Sequence, residues 1–422
     1  MNSRHATLRP VFRVAAGNIL EMYDFQIFGY YAFAIGRTFF PSRSEFASLM
    51  LSLATFGAGF LMRPIGAIVL GAYIDHRGRR AGLLVTLALM AFGTLTIACL
   101  PGYQTLGLAA PLLVLLGRLT QGFSAGVELG GVAVYLSEIA TPGRKGFYVS
   151  WQSASQQVAV MFTAVLGIVL ASALSRDQML RWGWRIPLLA GCLLIPFLYV
   201  LRQSLEESEE FLARRRPSIS KILRSAFANW RIVLLGMSMS VMTTVCFYLA
   251  TVYTPTFGTT VLHLAEKDIL IVTLCVGALS LAVLPLSGAL SDRIGRAPIL
   301  FTCTVLALAT AYPALTWLVH APSLWRLLIV DLWLALLYAS YNGAMAVFLV
   351  EIMPPEVRVL GFSLAYSLAT AVFGGFTPAI CTYLIHITGN PAMPAVWLSC
   401  AAACGLSAAV VLTVRRSGRG YA

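Results

Sequence analysis

The sequence predicts an all-α polytopic membrane protein: twelve transmembrane helices in two six-helix bundles, with both termini cytoplasmic. Three observations predict it. First, 59% of the 422 residues are hydrophobic and only 11% are charged, against about 25% charged in a typical soluble domain. Second, apolar runs of about 20 residues, enough to cross a hydrocarbon core of roughly 30 Å, recur along the whole chain. Third, the cations between those runs fall mostly on one side.

The runs lie near 13–38, 46–73, 83–100, 106–136, 147–173, 184–202, 231–256, 269–290, 298–319, 324–350, 360–386 and 394–414, here spans 1 to 12. Spans 2, 4 and 10 are long enough to tilt or to extend past the bilayer. On this layout 21 Lys and Arg lie on one side and seven on the other, with Arg63 and Arg118 inside spans. Such a bias marks the cytoplasmic side of a bacterial inner membrane. The net charge of +13 therefore reports topology and contact with anionic lipid, not a nucleic-acid partner. Span 1 is too long for the apolar core of a cleaved signal peptide and contains acids, so an uncleaved insertion signal is expected.

One loop, Gln203 to Trp230, is long, polar and charged. It divides the chain into an N-terminal six-helix bundle (1–202), a cytoplasmic linker (203–230) and a C-terminal six-helix bundle (231–422). Within the linker, LEESEEFLARRR is acidic first and basic last, which suits a short surface helix.

The two halves repeat each other. GAYIDHRGRRAGLL follows span 2 and GALSDRIGRAPIL follows span 8, with Gly71/Gly288, Asp75/Asp292, Gly78/Gly295 and Arg79/Arg296 all offset by 217. LSEIATPGRKGF follows span 4 and LVEIMPPEVRVLGF follows span 10, aligning Glu138 with Glu351 and Arg144 with Arg358 at offsets of 213 and 214. Parallel repeats of this kind point to a transporter whose halves rock about a central site.

Ionisable residues within spans are few: Glu21, Asp24, Arg63, Arg118, Glu128 and Asp331. Each costs roughly 2.5–3.5 kcal/mol at the bilayer centre, so each needs an interior, a cavity or a partner. Asp24 lies eleven residues past Arg13, about 16 Å deep at 1.5 Å per residue. Desolvation there disfavours a charged carboxyl, the property a proton carrier needs. Two compatible readings stand for Asp24: a proton carrier, or a structural pair with Arg118. In span 4, Arg118, Gln121 and Glu128 fall on one helical stripe. Arg118 is expected to reach Asp24, and Glu128, about 15 Å further along, to face the level of Asn18 and Glu21. Span 5 opens with YVSWQSASQQ, placing Gln152 and Gln156 on one face as amide donors for carboxylate or hydroxyl oxygens; interhelical hydrogen bonding is the alternative. Tyr338, Tyr341 and Asn342 in span 10 read as donors facing a cavity from the second half, or as packing. Arg63 needs a partner that the sequence does not name, and Asp331 is expected to reach water near the outer end of span 10.

The paired loop motifs and GRLTQGFSAG (Gly117 to Gly126) resemble the major facilitator superfamily over the whole chain. GNILEMYDFQIFG and GRLTQGFSAGVELGG look like its metabolite:proton symporter branch. The stretches from Phe39 to Asp75 and from Gly143 to Gln157 are similar to the citrate and tricarballylate symporters of that branch. The resemblance implies the major facilitator fold and alternating access. It also implies roles: Arg118 and Gln121 line the cavity, and Asp75, Arg79, Glu138, Arg144, Asp292, Arg296, Glu351 and Arg358 form conformational latches between helices.

These readings combine into a secondary active symporter that carries a di- or tricarboxylate, citrate or tricarballylate by the resemblance, into the cell with protons. Arg118, Gln121, Gln152, Gln156, Asn18, Tyr341 and Asn342 are the candidate substrate-binding residues, and Asp24, Glu21 and Glu128 the candidate proton-linked acids. With only two arginines in the spans, a tricarboxylate would also use neutral donors, and sodium coupling stays open. A zwitterionic osmolyte held by the acids of span 1 is the runner-up. An enzyme is not expected: no nucleotide loop, nucleophile–His pair or metal-ligand spacing occurs, and no cofactor or metal follows from the residues. The eight Cys lie in spans and read as small apolar residues.

Overall fold

The computed structural model describes residues 9–77, 79–126, 128–203, 228–355 and 358–419. The linker helix expected within 205–216 lies outside them.

The described residues are helical almost throughout, and the helices follow the twelve apolar runs. Span 1 is Arg9–Tyr30 with a short continuation, Ala32–Phe39. Spans 3, 5 and 6 are Arg79–Cys99, Lys145–Ala173 and Arg185–Gln203. Spans 8, 9, 10 and 12 are Glu266–Ile294, Arg296–His320, Leu324–Ile352 and Pro394–Arg419.

Besides span 1, three spans are interrupted at a proline or a wide turn. Span 2 is Glu45–Leu61 and Arg63–Arg77; Pro64 has no N–H to continue the first segment. Span 4 is described as Ala109–Ala125 and Glu128–Glu138, with Gly126 in a right-handed helical conformation. Spans 7 and 11 each contain a π-helical turn, Tyr248–Tyr253 and Thr370–Gly374. Pro255 and Pro378 open the helical segments that follow. Wide turns of this kind cluster at functional sites.

The outside is apolar. Leu108, Leu112, Leu193, Leu286 and Trp325 are each more than half exposed, a surface that suits lipid rather than water. The inside is polar, with Arg63, Arg118, Asp24, Gln121, Gln152 and Asn342 all at most 2% exposed.

Small residues bring the helices to close range, as membrane packing requires. Spans 5 and 8 touch along their length, with Gly146 against the backbone of Gly288 at one end and Gly277 against Met161 in the middle. Gly167 rests on Leu270 towards the other end. Spans 2 and 4 meet at Gly59, Gly66, Gly122 and Gly126, where a Cβ would strike the backbone of the opposite helix. The carbonyls there belong to Arg118, Phe123, Gly59 and Arg63. This seam fixes the two arginines relative to each other.

The first six and last six spans are in contact at both ends. At one end Gly130 of span 4 meets Val359 and Ser363 of span 11. At the other, Phe46 of span 2 stacks on His386 of span 11 at 3.7 Å. Between these closures Phe56 and Phe60 of span 2 pack on Tyr248 in the π turn of span 7. The polar interior is thus enclosed from both directions.

Candidate functional site

Span 1 carries its two described acids to different cations. Glu21 Oε1 accepts from Arg63 Nη2 at 2.9 Å, with both side chains nearly fully buried. This supplies the partner for Arg63 that the sequence left unnamed. The side chain of Glu128, the expected neighbour of Glu21, lies outside the described ones, as does that of Asn18.

Asp24 does not form the expected direct pair with Arg118. Three hydrogen bonds join them instead. Arg118 Nη1 donates to Gln121 Oε1 at 2.7 Å, and Gln121 Nε2 donates to Thr94 Oγ1 at 2.9 Å. Thr94 Oγ1 in turn contacts Asp24 Oδ2. The correction has a physical reason. Thr94 of span 3 and the i+3 glutamine of span 4 fill the gap between carboxylate and guanidinium, while Asp24 Oδ1 faces the Cα of Gly191 in span 6. The Thr94 hydroxyl also lies 3.0 Å from the Met90 carbonyl, so its single hydrogen has two possible acceptors.

The two guanidinium groups share an aromatic wall. Arg63 lies 4.8 Å and Arg118 4.5 Å from the centroid of Phe25. Phe60 flanks Arg63 at 4.7 Å, and Phe28 and Phe56 flank Arg118 at 4.6 and 5.1 Å. Desolvated cation–π contacts of this type contribute about 2 kcal/mol or more each. They hold a charge in place without consuming its N–H donors. Arg118 Nε and Nη2 and Asp24 Oδ1 make no hydrogen bond although fully buried. A guanidinium with two uncommitted donors is the group in this interior best suited to a carboxylate.

The span 5 amides lie at 1% (Gln152) and 7% (Gln156) exposure. Ser153 Oγ donates to Gln152 Oε1 at 2.8 Å. Gln157 Nε2 approaches Tyr338 Oη of span 10 at 3.5 Å, a link between the halves. Asn342 Oδ1 faces Thr243 Oγ1 at 3.5 Å, and its Nδ2 has no acceptor. For Tyr341 the packing alternative is the one its contacts fit. Its hydroxyl donates to the Met239 carbonyl at 3.0 Å and it sits fully buried among span 7 and span 12 side chains, beside Gly405. It is a packing residue of the last six spans. Asp331 is a correction: it is 5% exposed and bonded to Thr254 at 3.0 Å, away from water. Thr94 and the Gln26–Thr251 bond between spans 1 and 7 (3.3 Å) were missed.

The loop motifs divide. Asp292 accepts from the Gly146 and Phe147 amides at 2.8 and 3.0 Å, capping span 5 from span 8. Arg296 pairs with Asp292 at 2.8 Å and with Glu351 at 3.0 Å. Glu351 thus binds Arg296 rather than the expected Arg358, whose Nε has no acceptor. Glu138 and Arg144 are exposed and make no ion pair with each other; Gly143 at φ +77° turns the chain between them. The side chains of Asp75 and Arg79 lie outside the described ones.

Two variants test these contacts. Arg63→Gln should lower stability by about 3–5 kcal/mol, because it removes one partner of a buried ion pair. Glu21→Gln combined with it should recover most of the loss in a thermal melt in detergent. Equal loss in the double variant would deny the coupling. Asp292→Asn removes a charged cap, worth about 1–2 kcal/mol at a helix N-terminus. Hydrogen exchange of the Gly146 and Phe147 amides should then quicken about tenfold, and unchanged exchange would remove Asp292 from that role.

An enclosed polar interior inside an apolar helical shell, with internally repeated halves, defines a membrane transporter. The family model of the Major Facilitator Superfamily matches residues 14–311 and that of the sugar (and other) transporters matches 215–414. The chain belongs to the Major Facilitator Superfamily. It is 59% identical to the citrate-proton symporter of Salmonella typhi, over 99% of this chain and 96% of that one. With the citrate-proton symporter of Klebsiella pneumoniae the identity is 60%, over 98% and 93%. Among solved structures, that of a D-xylose-proton symporter matches with a TM-score of 0.76 at 18% identity, over 95% of this chain and 96% of that one.

Proposed function

We propose that the protein is a secondary transporter that carries citrate into the cell together with protons, by alternating access, across a bacterial inner membrane with both termini cytoplasmic. Identity of 59% and 60% to two citrate-proton symporters over nearly the full length supports the substrate and the coupling ion. The observation that carries the site is the buried Arg118, with two uncommitted N–H groups and a three-bond chain to Asp24.

The chemistry follows from that chain. With Asp24 ionised, Thr94 donates its hydrogen to the carboxylate, and the negative charge faces Arg118 through Thr94 and Gln121. With Asp24 protonated, the carboxyl donates to Thr94 Oγ1, and Thr94 turns its hydrogen to the Met90 carbonyl. Arg118 then faces no internal anion, and a substrate carboxylate takes its two free donors. Proton and substrate therefore bind with positive coupling, and each raises the affinity for the other by the same factor. Arg63, which also packs on Phe25, offers a second cation for a tricarboxylate, with Gln152, Gln156 and Asn342 as neutral donors. Glu21 balances Arg63 in the unloaded state. Residues 1–202 and 231–422 act as the rocking bundles, and the Asp292–Arg296–Glu351 cluster with the capped start of span 5 closes the cytoplasmic side.

Binding should show the coupling directly. The Kd for citrate in detergent, measured by calorimetry, should tighten as the pH falls through the titration of Asp24, and should lose that part of its pH dependence in Asp24→Asn. An identical profile in the variant would separate Asp24 from substrate affinity.

A further inference from the structure

The first half holds a buried aspartate against a threonine hydroxyl that has a backbone carbonyl as a second acceptor. The second half holds the same device at a different place. Asp331 of span 10 is 5% exposed, and its Oδ2 lies 3.0 Å from Thr254 Oγ1 of span 7. Thr254 Oγ1 also lies 3.2 Å from the Leu249 carbonyl and 3.1 Å from the Ala250 carbonyl. One hydroxyl hydrogen thus faces three acceptors. If Asp331 is ionised, the hydrogen goes to the carboxylate and both carbonyls lose it. If Asp331 is protonated, the carboxyl donates to Thr254 and the hydroxyl hydrogen goes to the carbonyls. The proton on Asp331 decides which.

Those carbonyls belong to the π turn Tyr248–Tyr253. The Thr254 hydroxyl reaches back five and four residues to caps of that turn, so it bears on the register of the wide turn. The same turn carries the contacts of span 7 with the first half. Tyr248 packs on Phe56 and Phe60, Thr251 accepts from Gln26, and Val252 seats against Gly29. A change of register there repositions the closure between the two halves.

The surroundings leave the acid otherwise uncompensated. From span 7, Thr254 bonds it and the Cys246 thiol lies within electrostatic range. From spans 4, 5, 8, 9 and 11, no titratable or charged side chain among the described residues interacts with it. Cys246 is itself bonded to the Leu334 carbonyl at 3.5 Å. Asp24 sits in the first half and Asp331 contacts none of its chain, so the citrate site does not account for it.

We propose that Asp331 and Thr254 form a second proton-binding site, in the C-terminal half, whose occupancy sets the π turn of span 7 and with it the closure against spans 1 and 2. The site rests on proton-coupled transport but not on citrate as the cargo.

Infrared difference spectra of the full-length protein in lipid, recorded between acid and alkaline pH without citrate, test proton binding at this site. A carboxylic-acid C=O band present in the wild type should be missing in Asp331→Asn and shifted in Thr254→Val, where the hydroxyl partner is gone. Proteoliposome reversal potentials should show one proton fewer per substrate in Asp331→Asn, with the Kd for citrate within about twofold of wild type. Thr254→Ser keeps the hydroxyl and should keep the wild-type stoichiometry. If the band persists in Asp331→Asn, or the stoichiometry is unchanged with a normal band count, Asp331 holds no functional proton and the proposal fails. A wild type that carries no citrate yet still loses the band in Asp331→Asn would overturn the citrate reading alone.

Discussion

Asp24→Asn is expected to abolish proton-driven accumulation of citrate while sparing exchange of external for internal citrate. Asparagine keeps the shape of the protonated acid and can still donate to Thr94 Oγ1. The chain through Gln121 to Arg118 therefore stays in its substrate-accepting arrangement. Exchange needs only the loaded carrier to reorient, so it continues. Accumulation needs the proton that is linked to citrate through Arg118 to leave on the inside, and the variant has none to release there; a proton on Asp331, which bears on closure and not on citrate affinity, does not replace it. The expected effect is large. Each net charge moved through 100 mV contributes about 2.3 kcal/mol, which is roughly a 50-fold concentration ratio. The variant should merely equilibrate citrate across the membrane. Parallel uptake and counterflow assays in proteoliposomes separate the two behaviours, and full accumulation by Asp24→Asn would remove Asp24 from coupling.

The second large effect belongs to Arg118. Arg118→Gln should weaken citrate binding by at least about 30-fold, since losing one partner of a buried, hydrogen-bonded charge pair costs about 2–5 kcal/mol. Arg118→Lys should do nearly as badly. A lysine ammonium is a point charge without the planar fork. It cannot hold the Gln121 carbonyl and present two parallel donors while stacked between Phe25, Phe28 and Phe56. Calorimetric titration of folded variants in detergent checks this. A Kd in Arg118→Lys equal to wild type would place the substrate carboxylate elsewhere.

The spans were legible because a hydrocarbon core imposes length and apolarity on every crossing, whatever packs against it. The paired loops were legible because duplication leaves a fixed offset. Depth was legible too, and it put Asp24 and Arg118 at one level. What lay between them was not. Thr94 looks like any hydroxyl in a span, able to satisfy itself on the carbonyl four residues back, and it does reach Met90. Its second contact depends on how spans 1, 3 and 4 approach. The Glu21–Arg63 pair could have been found by height alone. Glu21 stands twelve residues into the helix from Arg9, and Arg63 fourteen before its end at Arg77, about 18 and 21 Å at 1.5 Å per residue. The burial of Asp331 was not legible, and Tyr341 stayed between cavity and packing, because burial and hydrogen-bond partners come from neighbouring helices. The sequence of one span does not contain them.

Coupling of citrate to the proton is the centre of this account, and one measurement addresses it directly. Purified protein in liposomes takes up labelled citrate while pH and sodium gradients are imposed separately. An inwardly directed proton gradient alone, in sodium-free buffer, should drive accumulation above equilibrium, and a protonophore should collapse it. Accumulation that requires a sodium gradient, or that ignores the proton gradient, would contradict the account.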